Sequence, residues 1–208
     1  MCFFSRLTLS VSELKRHYQA DPLEMDDFEP TERFNGFAHP LTPVIANDKP
    51  DKIRLFGWGL MPAWASDESF RKNTLNARLE TLYEKPSFKP YVANRCLVLA
   101  NGFYEWQWLD PKGKQKQGYL ITLPDEQPFA FAGLWNVWKQ PGTGLLVPTY
   151  TIITRPANEL MATIHNSKQR MPYILKPGDE KAWLEGAPPK EPAEILVATP
   201  VNGPSSLG

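Results

Sequence analysis

The chain has 208 residues, of which 42% are hydrophobic and 22% are charged, and its 23 basic side chains balance its 23 acidic ones. A mean hydropathy of −0.40, and the absence of any apolar run near the ~20 residues that a membrane helix needs, exclude a helical membrane protein. Two cysteines, Cys2 and Cys96, are too few for a disulfide framework or a self-contained zinc site. Because Arg6 interrupts the apolar start, no secretion signal is expected. We expect one soluble, cytoplasmic domain over residues 1–208.

The first half of the chain predicts one helix and two strands. Ser10-Val11-Ser12-Glu13 has the pattern of a capping box. The apolar face of the helix that follows is formed by Val11, Leu14 and Tyr18. We expect residues 21–40 to be irregular, and we expect strands at 42–46 and 53–59 on either side of the turn 47–50.

The second half is predicted to consist mostly of strands. They lie at 96–108, 119–123, 129–138, 149–154, 173–175 and 195–198. The turn 110–113 makes the first two a hairpin. One helix has Pro156 in its first turn and Leu160, Met161 and Ile164 on its apolar face, and a second spans 179–184. This pattern predicts an α+β fold: a mostly antiparallel, barrel-like curved sheet with a few short helices.

Charge is unevenly distributed along this neutral chain. Residues 21–32 carry six acidic and no basic side chains, whereas residues 52–95 carry eight basic and four acidic ones. A basic patch on a neutral protein can bind phosphates locally. An ordinary solvated surface is the alternative, and charge alone does not decide between them.

Cys2 directly follows the initiator methionine. Methionine aminopeptidases remove Met1 when the second residue is small, and the mature chain would then begin with an α-amine beside a thiol. This 1,2-aminothiol condenses with aldehydes: the amine, with a reference pKa of about 7.7–8.0, forms a Schiff base, and the thiol then closes a thiazolidine ring. A cysteine at position 2 can also be incidental. Cys96 lies in an apolar run and is expected to be buried and inert.

Two segments carry polar groups suited to chemistry or binding. In residues 76–81, Asn76 could orient a reacting group and Arg78 could grip a phosphate through its planar guanidinium; the alternative is an ordinary helix start. In Gly102-Phe103-Tyr104-Glu105-Trp106, the carboxyl of Glu105 stands between aromatic residues on an apolar strand. Desolvation there would raise its pKa toward general acid–base use, whereas strand alternation equally allows an outward-facing carboxylate.

Three further residues are candidates on weaker grounds. His165 follows a predicted helix where the chain turns, and imidazole is a natural proton shuttle near neutral pH, although a helix-terminal histidine often has no such role. Pro62 and Trp64 follow Phe56-Gly57-Trp58-Gly59. Buried core is the default for such residues, but exposed they could wedge against bases. No carboxylate–histidine cluster has ligand spacing, so we expect no metal and no organic cofactor.

Several of these segments follow one another in a recognisable order. They are Met1-Cys2, the Phe56-Gly57-Trp58-Gly59 segment with Pro62 and Trp64, residues 76–81, residues 102–106, Ile164-His165 and Arg170-Met171-Pro172. In this order they resemble the SOS response-associated peptidase (SRAP) family of abasic-site processing proteins, over nearly the whole chain. The resemblance implies a mixed α/β pseudo-barrel with a positively charged groove.

The resemblance also implies a function in DNA damage and the SOS response, in which an abasic site in single-stranded DNA is crosslinked to the protein as a thiazolidine. Cys2 would be the nucleophile, Asn76 would bond near its amine, Glu105 would act as acid and base, and His165 would shuttle protons. The residues that would contact DNA are Arg78, Arg6, Trp64, Pro62 and Arg170. AP-lyase activity and self-removal of residues before the cysteine would accompany this activity. We expect a nucleoid-associated monomer without a membrane partner.

Two features depart from the family pattern. Members commonly begin Met-Cys-Gly-Arg, whereas this chain has Phe3 and Phe4 after the cysteine. The Arg-Met-Pro element commonly follows the catalytic histidine by about two residues, whereas residues 166–169 lengthen that link here. Two other functions stay open from the residues alone: a module that binds single-stranded nucleic acid without a covalent step, and a cysteine peptidase that acts in trans through Cys2, His165 and Glu105.

Overall fold

A computed structural model describes residues 2–191 and 195–201 of the chain. Within these residues the strands, in chain order, are β1 (Phe4–Leu7), β2 (Asp21–Pro22), β3 (Thr31–Asn35), β4 (Leu41–Ala46), β5 (Lys52–Trp58), β6 (Asn76–Arg78), β7 (Arg95–Ala100), β8 (Gly102–Trp108), β9 (Lys116–Thr122), β10 (Phe129–Lys139), β11 (Leu146–Pro156), β12 (Arg170–Pro172) and β13 (Val197–Val201). The helices are α1 (Val11–Tyr18), α2 (Glu159–Ile164) and α3 (Glu180–Leu184). No helix in the described residues is long and apolar enough to cross a membrane.

Five strands close into a barrel. The order β11-β10-β7-β4-β5 is antiparallel throughout, and a parallel pairing of β11 with β5 returns the sheet to its starting strand, with Tyr150 opposite Trp58. β6 adds to β11 in parallel, so that Asn76 lies opposite Ile152. A second sheet has the order β13-β9-β8-β1-β3. The predicted α+β fold with a mostly antiparallel, barrel-like sheet is confirmed.

Strand alternation separates the two larger of the three hydrophobic clusters in the described residues. Side chains at successive positions of a strand point to opposite faces, so on β7 Cys96 and Val98 belong to one cluster and Leu97 and Leu99 to the other. The first cluster also contains Cys2. The second cluster extends to the helices, for it includes Leu14 of α1 and Trp183 of α3. Cys2 therefore belongs to the cluster away from α1 and α3, whereas Leu7 of β1 belongs to the second cluster.

The first helix forms as its capping pattern predicts. The Ser10 hydroxyl accepts a hydrogen bond from the backbone N–H of Glu13, and the Glu13 carboxylate accepts one from the backbone N–H of Ser10 at 2.7 Å. Each bond satisfies an amide that the helix start leaves without an intrahelical partner. Leu14 is buried and Tyr18 half-buried on the predicted face.

The predicted strand 96–108 is two strands in different sheets. Asn101 separates β7, in the barrel, from β8, in the second sheet. Its side chain donates to the Thr8 hydroxyl at 2.8 Å and accepts from the Thr8 backbone N–H at 3.2 Å. The alternation shifts by one position here, since Ala100 and Phe103 both face the first core cluster. Apolar residues continue on both sides of the break, so their pattern alone could not reveal it.

Other predicted boundaries were also wrong. Residues 31–35 form β3, paired antiparallel with β1, although 21–40 had been predicted to be irregular. Pro156 ends β11, and α2 begins after its N-cap Asn158. The strand expected at 173–175 lies at Arg170–Pro172, and the last strand begins at Val197. These elements depend on backbone partners distant in the sequence, which local propensity does not report.

Candidate functional site

Cys2 is fully buried at the edge of the first core cluster. The side-chain amide of Asn76 donates to the Cys2 carbonyl oxygen at 2.8 Å, and the Cys2 thiol lies 3.8 Å from the Phe4 carbonyl oxygen. Asn76 reaches this position because β6 pairs with β11. Its amide oxygen is buried and accepts no hydrogen bond within the described residues. Asn76 therefore fixes the backbone of the cysteine and keeps an acceptor available.

Burial raises the pKa of the Cys2 thiol well above its usual value, and the negative charge of Glu105 adds to this shift. A thiol in this environment stays protonated at neutral pH, since ionisation would place a second charge in an apolar site. It needs a base to accept its proton before it can act as a nucleophile. Met1, on whose removal the 1,2-aminothiol depends, lies outside the described residues.

Glu105 faces the protein interior rather than solvent. Its residue is only 4% exposed, and burial raises the pKa of its carboxyl to about 7. β8 carries it next to the amino terminus, because Phe103 of β8 pairs with Ser5 of β1. Of the two interpretations of the sequence, the structure selects the desolvated carboxyl. A group that titrates near pH 7 can give or take a proton under physiological conditions.

His165 caps the carboxyl-terminal end of α2 and is 7% exposed. Burial lowers the pKa of its imidazole to about 4, so the ring is neutral at pH 7. Nδ1 lies 2.8 Å from the Arg170 carbonyl oxygen and 3.2 Å from its backbone nitrogen. The backbone N–H of Arg170 is the donor in the longer of these contacts. The other ring nitrogen, Nε2, faces Glu105, whose Oε2 is 4.0 Å away.

Arg170 is buried and paired with protein groups. Its guanidinium binds both carboxylate oxygens of Glu80, at 2.9 Å for the Nη2–Oε2 contact, and also donates to the Thr154 carbonyl oxygen at 2.8 Å. The guanidinium therefore points inward, and its backbone orients His165. The four residues between His165 and Arg170 form the turn that allows this contact.

The residues predicted to contact DNA divide into two groups. Arg78 is exposed, and Trp64 is 57% exposed with its ring edge-on to Phe70 at 4.9 Å. Trp64 and Phe70 line a cleft of about 410 Å³. In contrast, Pro62 is buried and cannot serve as an exposed wedge. Arg6 is also buried, with its guanidinium bound to Glu32 and Glu126 at 2.8 and 2.6 Å.

The sequence did not single out Arg33, an exposed cation that lies against aromatic rings of β1 and β8. Its guanidinium carbon is 4.5 Å from the ring centre of Phe4, 5.3 Å from that of Trp106 and 5.4 Å from that of Tyr104. These three rings meet because β1 pairs with β8. The cation is held by aromatic faces while remaining exposed. Its signal in the sequence was weak, because the segment around it had been predicted to be irregular.

The catalytic candidates converge although they come from distant parts of the sequence. Cys2, Asn76, Glu105 and His165 are linked by the Asn76–Cys2 hydrogen bond, the effect of Glu105 on the thiol and the Glu105–His165 contact. Over residues 2–191 and 195–201, no group of three or more histidine, cysteine or acidic side chains is placed to hold a metal ion. The site therefore holds a carboxyl that can exchange its proton near pH 7, with a neutral imidazole and a buried thiol beside it.

Fold and site together define a class of protein: a small closed barrel with an amino-terminal thiol beside a buried carboxyl, imidazole and amide. The family described as SOS response associated peptidase (SRAP) matches residues 1–205, and the chain belongs to that family. The recognition made from the sequence motifs is confirmed.

Named relatives and a solved structure extend this likeness. The chain is 49% identical over 140 residues to "Abasic site processing protein YoqW" of Bacillus subtilis, covering 67% of this chain and 58% of that protein. It is 36% identical over 178 residues to "Abasic site processing protein HMCES" of Gallus gallus, covering 70% and 51%. A crystal structure of a Bacteroides thetaiotaomicron protein superposes with a TM-score of 0.85 at 32% identity, covering 97% of this chain and 92% of that one.

Proposed function

We propose that this protein processes abasic sites in DNA, by forming a covalent bond between Cys2 and the aldehyde of the abasic sugar in single-stranded DNA. The observation that carries the proposal is the convergence of the thiol of Cys2 with the carboxyl of Glu105, whose pKa is raised to about 7. The names of the relatives support abasic sites as the target. The crosslink would shield the lesion from strand cleavage as part of a response to DNA damage.

The covalent chemistry requires a mature chain that begins at Cys2. Its α-amine adds to the aldehyde carbon of the ring-opened sugar to form a carbinolamine, which loses water to give an imine. The thiol sulfur then bonds to the imine carbon, and the imine nitrogen gains a proton. Aldehyde and aminothiol thus yield a thiazolidine and one water molecule, with no oxidant, reductant or cofactor consumed.

Glu105 and His165 supply the proton transfers. In its acid form, Glu105 protonates the departing hydroxyl of the carbinolamine; as a carboxylate it then accepts the proton of the thiol, whose own pKa is high. Glu105 thus regains the proton that it gave up, and His165, whose Nε2 lies 4.0 Å from Oε2 of Glu105, exchanges protons with it only transiently because burial lowers the pKa of the imidazole to about 4. Positioned acids and bases of this kind contribute about 10²- to 10⁴-fold in rate.

Three other residues hold the reactants. Asn76 anchors the Cys2 backbone and offers its buried amide oxygen to the amine or the opened sugar. Arg78, exposed at the end of β6, binds a backbone phosphate, and the exposed ring of Trp64 stacks on a base of the single strand. The imine also acidifies the neighbouring sugar carbon, so slow strand cleavage by β-elimination accompanies capture.

The decisive experiment mixes the purified protein with a single-stranded oligonucleotide carrying one abasic site and separates the products under denaturing conditions. Intact mass first establishes that the chain begins at Cys2. Wild type should shift to the mass of protein plus oligonucleotide minus one water. Cys2→Ala should bind the same oligonucleotide in a native gel but give no adduct after denaturation, and Cys96→Ala should crosslink like wild type. If wild type binds without an adduct, the protein is a non-covalent binding module and the proposal is wrong.

A further inference from the structure

Two aromatic rings lie at the solvent boundary immediately beside Cys2. The ring centres of Phe3 and Phe37 are 4.8 Å apart, with the planes inclined at 39°. Phe37 is 51% exposed and Phe3 is half-buried against the first core cluster. A single exposed apolar side chain is common on a protein surface and needs no explanation. Two rings in contact at the surface, one of them directly after the proposed nucleophile, are unusual and suggest a binding site.

The backbone holds this pair in place. The Gly36 N–H donates to the Phe3 carbonyl oxygen at 2.8 Å, and the Phe37 N–H donates to the Asn35 side chain at 3.0 Å. Gly36 permits this approach, because a Cβ there would come within 3.2 Å of the Phe3 oxygen and 3.3 Å of the Trp58 ring. The rings are therefore fixed before any ligand binds, so stacking on them costs little conformational entropy.

We infer that Phe3 and Phe37 form a platform on which the base next to the abasic sugar stacks. The inference rests on the proposed function, because it places that sugar on Cys2. Residue 3 follows Cys2 by a single Cα–Cα step of about 3.8 Å, so a nucleotide joined to the captured sugar passes beside its side chain. Aromatic side chains stack on any base, since every base has a π face. The larger face of a purine makes a purine the preferred neighbour.

The experiment uses 2-aminopurine, a fluorescent base quenched by stacking, placed on the 5′ or the 3′ side of the abasic site in two single-stranded oligonucleotides. Wild type should quench one of them on binding. Phe37→Leu, which keeps an apolar side chain but removes the π face, should lose that quenching and weaken the Kd by about five- to 100-fold. Phe3→Leu should do the same to a smaller degree, because Phe3 is less exposed.

Tyr83→Leu is the matched control, because Tyr83 is 62% exposed and follows Leu82 of the second core cluster, away from Cys2. It should keep wild-type quenching, and all variants should keep the wild-type thermal midpoint within a few degrees. Equal quenching by wild type and Phe37→Leu with both oligonucleotides would overturn the platform. That result differs from failure of the proposed function, in which wild type itself forms no covalent adduct.

Discussion

Nε2 of His165 lies 4.0 Å from Oε2 of Glu105, and burial moves the pKa values of these two groups in opposite directions. The carboxyl rises to about 7 while the imidazole falls to about 4, which inverts the usual order of the two residue types. Near pH 7 the carboxyl therefore exchanges its proton, whereas the imidazole stays neutral. The pair is suited to a reaction that needs an acid in one step and a base in the next.

The raised pKa of Glu105 makes stability fall with pH. The carboxyl keeps its proton in the folded protein up to about pH 7, but loses it near its ordinary pKa of 4.5 once unfolded. The unfolded state thus binds fewer protons between these pH values, and the free energy of unfolding decreases as pH rises through them. Glu105→Gln removes this pH-dependent contribution. Between pH 4.5 and 7.5 its free energy of unfolding should therefore rise relative to that of wild type by up to about 3 kcal/mol.

Urea titration of both proteins at pH 4.5, 6.0 and 7.5 measures this gain. His165 contributes an opposite slope, because its lowered pKa makes stability rise with pH between about 4 and its ordinary pKa of 6.5. It is present in both proteins, so its contribution cancels in their difference. A difference that is constant over this range would mean that Glu105 ionises at the same pH in the folded and unfolded states.

The same carboxyl should shape the pH dependence of crosslinking. The wild-type rate with abasic DNA should bend near pH 7, where Glu105 titrates. Glu105→Gln should crosslink about 10²- to 10⁴-fold more slowly and lose this bend, while its affinity for DNA under native conditions stays close to wild type. Single-turnover rates from pH 5.5 to 8.5 check the expectation; an unchanged bend in the variant would assign it to another group.

Local features of the fold were predictable because the signals that define them are local. The capping box of α1 lies within four consecutive residues, and the β8–β9 hairpin is encoded by a turn between two alternating segments. Cys2 and Asn76 were identifiable through the ordered motifs, although neither is persuasive alone. Their contact follows from the pairing of β6 with β11, which joins segments about 75 residues apart.

Long-range pairs account for what the sequence did not reveal. The family resemblance implied that Arg6 and Arg170 contact DNA, yet each meets a carboxylate from a distant segment. Arg33 was overlooked because its aromatic partners come from β1 and β8. Whether an arginine faces a ligand or a carboxylate depends on tertiary neighbours, and propensity contains no information about them.

Arg78 and Arg170 should respond differently to salt. If the exposed guanidinium of Arg78 binds one phosphate, Arg78→Gln should reduce the slope of log K against log salt concentration by about 1. Arg170→Gln should leave the slope unchanged, because this guanidinium already neutralises Glu80, and should instead lower the free energy of unfolding by about 1–3 kcal/mol. Titrations of single-stranded DNA at four salt concentrations measure the slope for each variant. Equal slopes for wild type and Arg78→Gln would show that Arg78 does not bind a phosphate.

Gly57 should be required because Arg71 occupies the space where its side chain would be. A Cβ at Gly57 would overlap Nη2 of Arg71, the far end of a flexible side chain, so Gly57→Ala displaces the guanidinium at a cost near the low end of about 1–3 kcal/mol. In an Arg71→Ala background the same substitution should cost far less.

Gly59→Ala serves as the control. Gly59 has a φ of +106°, and removing the Arg71 side chain does not relieve the backbone strain that an alanine would have there. Urea denaturation of the single and double variants gives the coupling energy, and a cost of Gly57→Ala that is the same in both backgrounds would show that Arg71 is not the reason for the glycine.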